Sequence, residues 1–337
     1  MKTIRWGMIG CGDVAEVKSG PGFYKARNSE LVAVMRRNEA LAADFARRHN
    51  VARSHADASA IIDAPDIDAV YIATLPDTHH EYTLRCAAAG KPVYVEKPMG
   101  LDHRQCSEMI GACKSANVPL WVGYYRRALP RFLAVRDLVD EGAIGEVRMV
   151  VIRQSQRLPS AEQVQGHALA WRTDPDRGGG LFFEAACHTL DMLDFLLGPI
   201  AEVRAFAANS AAAFRSEDSV TAAFRFESGV QASGAWCYAT DHDEEYNEII
   251  GSRGRIRFST FSATPIGLWR GDRREERPVT DPPHVHQPLI QTIVDELNGE
   301  GRCPSTGESA ARTARVLDAM LEPRRALQPR RTAPTVS

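Results

Sequence analysis

Ile4-Arg5-Trp6-Gly7-Met8-Ile9-Gly10-Cys11-Gly12-Asp13-Val14-Ala15 decides the fold. An apolar run of strand length ends in Gly10-Cys11-Gly12, and a helix-compatible stretch opens directly behind it. This is the G-x-G-x-x-G/A context of a dinucleotide site, with Ala15 in the last small position. Gly10 permits the tight turn. Gly12 lets backbone N–H groups, those of Asp13 and Val14 included, approach a pyrophosphate at the helix start.

On its C-terminal side, short apolar runs alternate with longer helical stretches as far as Trp121, the rhythm of βαβ units around a parallel sheet. The expected strands are Ile4–Ile9, Leu31–Met35, Ala69–Ala73, Val93–Val95 and Leu120–Val122, with crossover helices such as Asn38–His49 and His80–Ala89. After Gly123 the rhythm changes. A helix over Pro130–Glu141 precedes longer strands at Val147–Gln154, Glu202–Ala208, Val220–Glu227, Gly229–Tyr238 and Asn247–Phe258. Ser228-Gly229 and Gly251-Ser252-Arg253-Gly254 read as hairpin turns. The expectation is an α/β chain: a doubly wound Rossmann domain over 1–124, an α+β domain with a large, mostly antiparallel open sheet over 125–322, and a mobile tail over 323–337. The last helix is expected over Ser309–Leu321.

Composition narrows the function. With 41 Lys and Arg against 43 Asp and Glu, the formal charge of −2 provides no field for nucleic acid or an anionic membrane surface. No apolar run reaches the roughly 18 residues of a membrane span, and Met1–Ile9 lacks the apolar core of a signal peptide. The seven cysteines are scattered without a C-x-x-C pair, which fits reduced thiols in the cytoplasm.

Three further segments carry chemistry. At the end of the second strand, where an NAD-binding domain offers a carboxylate to the ribose 2′-hydroxyl, stand Arg36 and Arg37; two guanidiniums favour the 2′-phosphate of NADP, with NAD a possible second cofactor. Glu96-Lys97-Pro98 sits at the C-terminal end of the Val93–Val95 strand, where open α/β sheets bind ligands, and Lys97 there can stabilise charge developing on a substrate oxygen. Glu184, His188 and Asp191, behind Gly178-Gly179-Gly180, fall at i, i+4 and i+7 and share one helix face. His188 is then a candidate acid/base, with Glu184 able to bond it or a lysine.

Together these segments resemble the Gfo/Idh/MocA oxidoreductases, the glucose-fructose oxidoreductase and inositol dehydrogenase superfamily. The resemblance runs from Ile4 to Leu321 and takes in Thr74–His79, Gly123-Tyr124-Tyr125-Arg126-Arg127, Trp171-Arg172 and Glu248–Gly254. It implies hydride transfer between nicotinamide and a carbinol or carbonyl carbon of a sugar, polyol or related compound, with Lys97, Glu184 and His188 as the catalytic group. It further implies cofactor contacts from Thr74, Pro76, His79, Glu96, Lys97 and Arg172, and substrate contacts from Lys97, Tyr125, Arg127, Glu184 and His188. Glu184 stands where the family's aspartate is usual, and Tyr125 replaces an asparagine often seen before the paired arginines. In this expectation His188 exchanges the hydroxyl proton, Lys97 polarises the oxygen and Glu184 tunes the pair. The alternatives are a lyase or hydrolase cycling the nicotinamide transiently and a cofactor-sensing regulator; retention of both Lys97 and His188 counts against the sensor. Family analogy suggests a dimer or tetramer packed through the open sheet. His284-Val285-His286 and Asp241–Glu245 read as loops, and no metal is expected.

Overall fold

The computed structural model describes residues 1–160, 162–163 and 170–325. Six parallel strands form the first sheet: β1 (Ile4–Ile9), β2 (Ser29–Met35), β3 (Arg53–His55), β4 (Ala69–Ile72), β5 (Val93–Val95) and β6 (Leu120–Val122), in the order β3-β2-β1-β4-β5-β6. The order reverses between β1 and β4, so a crevice opens at their C-terminal ends. β3 was not expected. Its Arg-Ser-His sequence has no apolar pattern, and as an edge strand it is held by backbone pairing to β2 alone.

Crossover helices cover both faces: α1 (Asp13–Val17), α2 (Gly20–Lys25), α3 (Glu39–Arg48), α4 (Ser59–Ile62), α5 (Pro76–Ala88) and α6 (His103–Ser115). Asn38 caps α3 and Asp102 caps α6, each side chain accepting from a backbone N–H three residues on. Because both faces are covered, β1, β4 and β5 are apolar and buried nearly throughout.

After α7 (Pro130–Asp140) the chain builds the second sheet from β7 (Val147–Arg157), β8 (Ile200–Ala208), β9 (Ser219–Phe226), β10 (Gln231–Thr240), β11 (Glu244–Gly251), β12 (Arg255–Phe258), β13 (Ile266–Arg270) and β14 (Arg273–Arg277). Their order is β14-β13-β12-β11-β7-β10-β9-β8, antiparallel except between β7 and β10. The expected strand Asn247–Phe258 is two, split at the turn Gly251–Gly254. β13 and β14 were not expected, since Arg-Arg-Glu-Glu-Arg in β14 carries no alternation and pairs at the sheet's edge.

One face of this sheet packs on α8 (Leu181–Leu197), which is buried almost all round and therefore apolar almost all round. Along β9, Val220, Ala222, Phe224 and Phe226 turn inward while Thr221 and Arg225 face out. The opposite face is open, and Phe206 on it is 83% exposed.

Two C-terminal helices, α9 (Gln287–Leu297) and α10 (Gly307–Arg325), return to the first domain. α9 packs on α2, and α10 packs on α6 as well as on α8 and β8. Segments after residue 285 thus serve both domains. The expected tail loses its first three residues to α10, and the rest of it, 326–337, lies outside the described residues. All seven cysteines are free. Among the described residues no helix is long and apolar enough to cross a membrane.

The junction is fixed electrostatically. Arg127, just past β6, donates through Nε to Asp191 Oδ2 at 2.9 Å and through Nη2 to Asp191 Oδ1 at 2.8 Å and Asp194 Oδ1 at 3.0 Å, both carboxylates belonging to α8. Its Nη1 reaches the Pro304 carbonyl at 3.3 Å. Arg127→Met would leave two buried carboxylates with less compensation, and denaturant unfolding should show a loss of about 3–5 kcal/mol, the scale for breaking a buried pair from one side. A loss under about 1 kcal/mol would show that Arg312, which also bonds Asp194, carries the compensation alone.

Candidate active site

The crevice begins at Gly10, whose φ of 97° suits glycine and whose absent side chain lets it lie against the backbone of Ala73 and Thr74; a Cβ there would come within 2.8 Å of three of their atoms. Gly12 faces the other way, and a Cβ on it would meet nothing within 4 Å. The N–H groups of Asp13 and Val14, in the first turn of α1, have no partner within the helix. Beside this turn Arg36 is half-buried and Arg37 exposed, and neither guanidinium has a carboxylate partner among the described residues. A close-approach turn and unpaired N–H groups fit a nicotinamide dinucleotide, whose pyrophosphate Gly10–Val14 could hold and whose adenosine ribose could lie by Arg36 and Arg37.

Lys97 leaves the C-terminal end of β5 and Glu184 comes from the first turn of α8; Lys97 Nζ lies 3.6 Å from Glu184 Oε1, and Arg172 Nε lies 3.4 Å from Glu184 Oε2. The glycine turn makes this possible. A Cβ on Gly179 would sit 2.1 Å from the Trp171 carbonyl oxygen, so only glycine allows the Trp171-Arg172 segment to pack over the start of α8. Burial opposes the charge on Lys97, but Cys187, Glu184 and Glu96 outweigh it and raise the lysine above its ordinary value.

One turn along α8, His188 is buried with its Nδ1 2.8 Å from Arg126 Nη1. A guanidinium can only donate, so Nδ1 accepts and the ring proton sits on Nε2. Burial, and then the charges of Arg126, Lys97 and Lys18, push His188 well below the usual histidine range. It is a neutral imidazole with an Nε2–H to donate. Tyr125, Tyr124 and Phe261 surround it edge-on.

The expected residues divide accordingly. Gly10, Gly12, Asp13, Val14 and Thr74 gather where β1 and β4 end, while Lys97 and Arg172 meet Glu184, and Tyr125 meets His188, at the start of α8. Arg127 joins neither group, because its donors are spent on Asp191, Asp194 and backbone carbonyls. His79 is fully buried, with Nδ1 at 2.9 Å from the Pro98 carbonyl and Nε2 at 3.1 Å from that of Thr74. It braces the strand ends instead of facing a cofactor. Pro76 packs beneath Gly178, and the Lys97–Pro98 bond is cis.

Glu96 points inward as well: its Oε1 accepts from Tyr71 Oη at 2.7 Å, its Oε2 lies 3.2 Å from the Lys97 N–H, and burial raises its pKa. His286 belongs to the same buried group. Its Nδ1 is 2.8 Å from Tyr94 Oη, its Nε2 is 3.5 Å from Glu96, and its ring lies 4.4 Å from that of Tyr125. Burial lowers it to about 3. Its sequence context, a Pro-rich stretch distant from every motif, offered no signal. Arg126 was visible only as one of a pair.

A dinucleotide turn and a Lys–Glu–His group brought together from two domains define an NAD(P)-dependent oxidoreductase. Residues 4–124 match the oxidoreductase family with an NAD-binding Rossmann fold, and residues 132–257 match the GFO/IDH/MocA C-terminal domain. The chain belongs to the Gfo/Idh/MocA family. It is similar to "Oxidoreductase P35" of Formosa agariphila, 39% identical with 94% of this chain and 97% of that protein covered. It is 33% identical to the inositol 2-dehydrogenase of Rhizobium meliloti, with 83% and 82% covered. The crystal structure of an aldose-aldose oxidoreductase from Caulobacter crescentus, complexed with glycerol, superposes with a TM-score of 0.84 at 25% identity, covering 97% of this chain and 99% of that one.

Proposed function

We propose that the protein is an NADP-preferring oxidoreductase that interconverts a carbinol and a carbonyl carbon on a sugar, polyol or related compound. The observation that carries this is the convergence of Lys97 from β5 with Glu184 and His188 from α8, along the same C-terminal edge of the sheet that carries the Gly10–Val14 turn. The substrate class is supported by the inositol dehydrogenase and aldose oxidoreductase similarities.

The bound nicotinamide supplies hydride chemistry. The protein's own groups handle the oxygen and its proton. His188, with Nδ1 occupied by Arg126, donates Nε2–H to the substrate oxygen but has no lone pair there to take a proton. Lys97 is charged and donates too. In reduction both groups hold the carbonyl oxygen, and Lys97 delivers the proton as negative charge builds; in oxidation Lys97 must first lose its proton. This exchanges the roles expected from sequence, where His188 was the proton carrier. Glu184 favours the charged lysine and, with Arg172 on its other oxygen, fixes it in place.

Lys97→Met should therefore lower kcat by about a hundredfold or more, the scale of one transition-state electrostatic contact, with little change in cofactor affinity. Near-normal kcat would remove Lys97 from the mechanism. In the reductive direction kcat/KM should show no titration near pH 6.5, because His188 is held well below the usual histidine range and Lys97 above its ordinary value. An acid limb centred at 6.5 would contradict the neutral, Arg126-bonded histidine. If the uncovered face of the second sheet packs on another copy of the chain, sedimentation velocity at micromolar concentration should show a dimer or tetramer, and a monomer would remove that expectation.

Cofactor choice is the sharpest test of the first domain. Arg36 and Arg37, without acidic partners at the end of β2, suit charge-assisted bonds to a 2′-phosphate, worth about 1.5–3 kcal/mol each. Titration should show NADP binding about ten- to a hundredfold tighter than NAD, and Arg36→Asp should reverse the order. Equal or tighter NAD binding by the unaltered protein would mean that the guanidiniums serve solvent.

A further inference from the structure

Among the described residues three arginines are buried: Arg126, Arg127 and Arg131, exposed by 7%, 4% and 5%. Arg127 is paired with Asp191 and Asp194, and Arg131 with Asp281. Arg126 has no carboxylate within ion-pair distance among the described residues, and the stretches outside them contain no Asp or Glu. A buried guanidinium without a counter-charge is costly unless a ligand supplies one.

Its surroundings define where that ligand sits. Nε donates to the Thr260 carbonyl at 2.9 Å and Nη1 to His188 Nδ1 at 2.8 Å, while Nη2 has no hydrogen-bond partner among the described residues. Tyr125 and Phe261 flank the guanidinium, their ring centroids 4.9 and 5.0 Å from its central carbon, which locks its plane. Glu245, the acid bonded to the same loop, is spent on the Ser259 hydroxyl and the N–H groups of Thr260 and Phe261. The other charges bearing on His188 are also positive, those of Lys97 and Lys18.

The missing anion is not the cofactor's pyrophosphate. The Gly10–Val14 turn follows β1 and Arg126 follows β6, three strand spacings away across the sheet, or about 14 Å at ~4.8 Å per spacing. The 2′-phosphate site at Arg36 lies further off on the opposite side of β1. What remains near Arg126 is the place beside His188 where the reacting carbon must sit.

We propose that Arg126 Nη2 binds a carboxylate on the substrate, so that the protein acts on hydroxy or keto acids of the sugar-acid class rather than on neutral sugars. The inference rests on the oxidoreductase reading and narrows its substrate. Arg126 then has two duties: Nη1 fixes the His188 tautomer and Nη2 anchors the acid, placing its neighbouring carbon against Nε2–H.

Sugar acids and their neutral counterparts separate these ideas. D-Gluconate against D-glucitol, and galactarate against galactitol, are titrated into the full-length protein saturated with NADPH, a combination in which none of the four can be turned over. At least one acid should bind about tenfold tighter than its neutral partner or better. Arg126→Met should abolish that advantage, and Arg126→Lys should keep part of it. If neither acid binds more tightly than its counterpart, the proposal fails, and this comparison on the unaltered protein decides the matter even if a variant does not fold. Turnover is read apart, with NADP and the same four compounds and with NADPH and D-glucuronate. Tighter acid binding without any turnover would uphold the anion site and count against the oxidoreductase reading, whereas turnover of neutral compounds with no acid preference would do the reverse.

Discussion

The ion pairs of Arg127 with Asp191 and Asp194 tie the chain leaving β6 to the helix that carries Glu184 and His188. That tie helps to set how far α8 stands from the end of β5, and the 3.6 Å separation of Lys97 from Glu184 depends on that distance. Buried ion pairs are weak evidence for net stability, because desolvation offsets much of their attraction. Their value here is directional. A bidentate guanidinium–carboxylate contact fixes angle as well as distance, and these carboxylates lie about one and two helical turns beyond His188.

His188 shows the same economy of donors. Arg126 and Arg127 are adjacent in sequence but meet successive turns of α8, one the imidazole and the other the two aspartates. One arginine sets the ring's protonation and the other sets the helix's position. Placing both in the short turn Tyr125–Ala128 makes the chemistry of the second domain an extension of the first domain's last strand.

Much of this was legible in the sequence. The first sheet announced itself because its central strands are buried on both faces and apolar throughout, and the Gly10 turn because a close backbone approach demands glycine. Lys97, Glu184 and His188 were singled out by their place relative to strand and helix ends, and Lys97 and Glu184 do lie within ion-pair distance. What escaped was held by backbone pairing or by distant partners. β3 and β14 are polar edge strands whose ladders need no apolar side chains. His286 joins Tyr94 and Glu96 across more than 180 residues of chain, a pairing that no local pattern encodes. Arg127 was misjudged for the same reason: two arginines in a row look alike until the carboxylates that claim one of them are located.

The C-terminal segments give the chain an unusual order of completion. The N–H of Val122 on β6 bonds the Ser305 carbonyl, Trp121 bridges Thr306, and α9 and α10 pack on α2 and α6. Until residues near 300 have emerged from the ribosome, the β6 edge offers its unpaired backbone groups to any passing strand, and one face of the first domain lacks its cover. β7 waits in a similar way, since the strands on its two sides, β10 and β11, begin more than 70 residues later. The domain translated first is therefore among the last to be sealed, and for most of its synthesis the β6 edge and that face have only solvent to cover them.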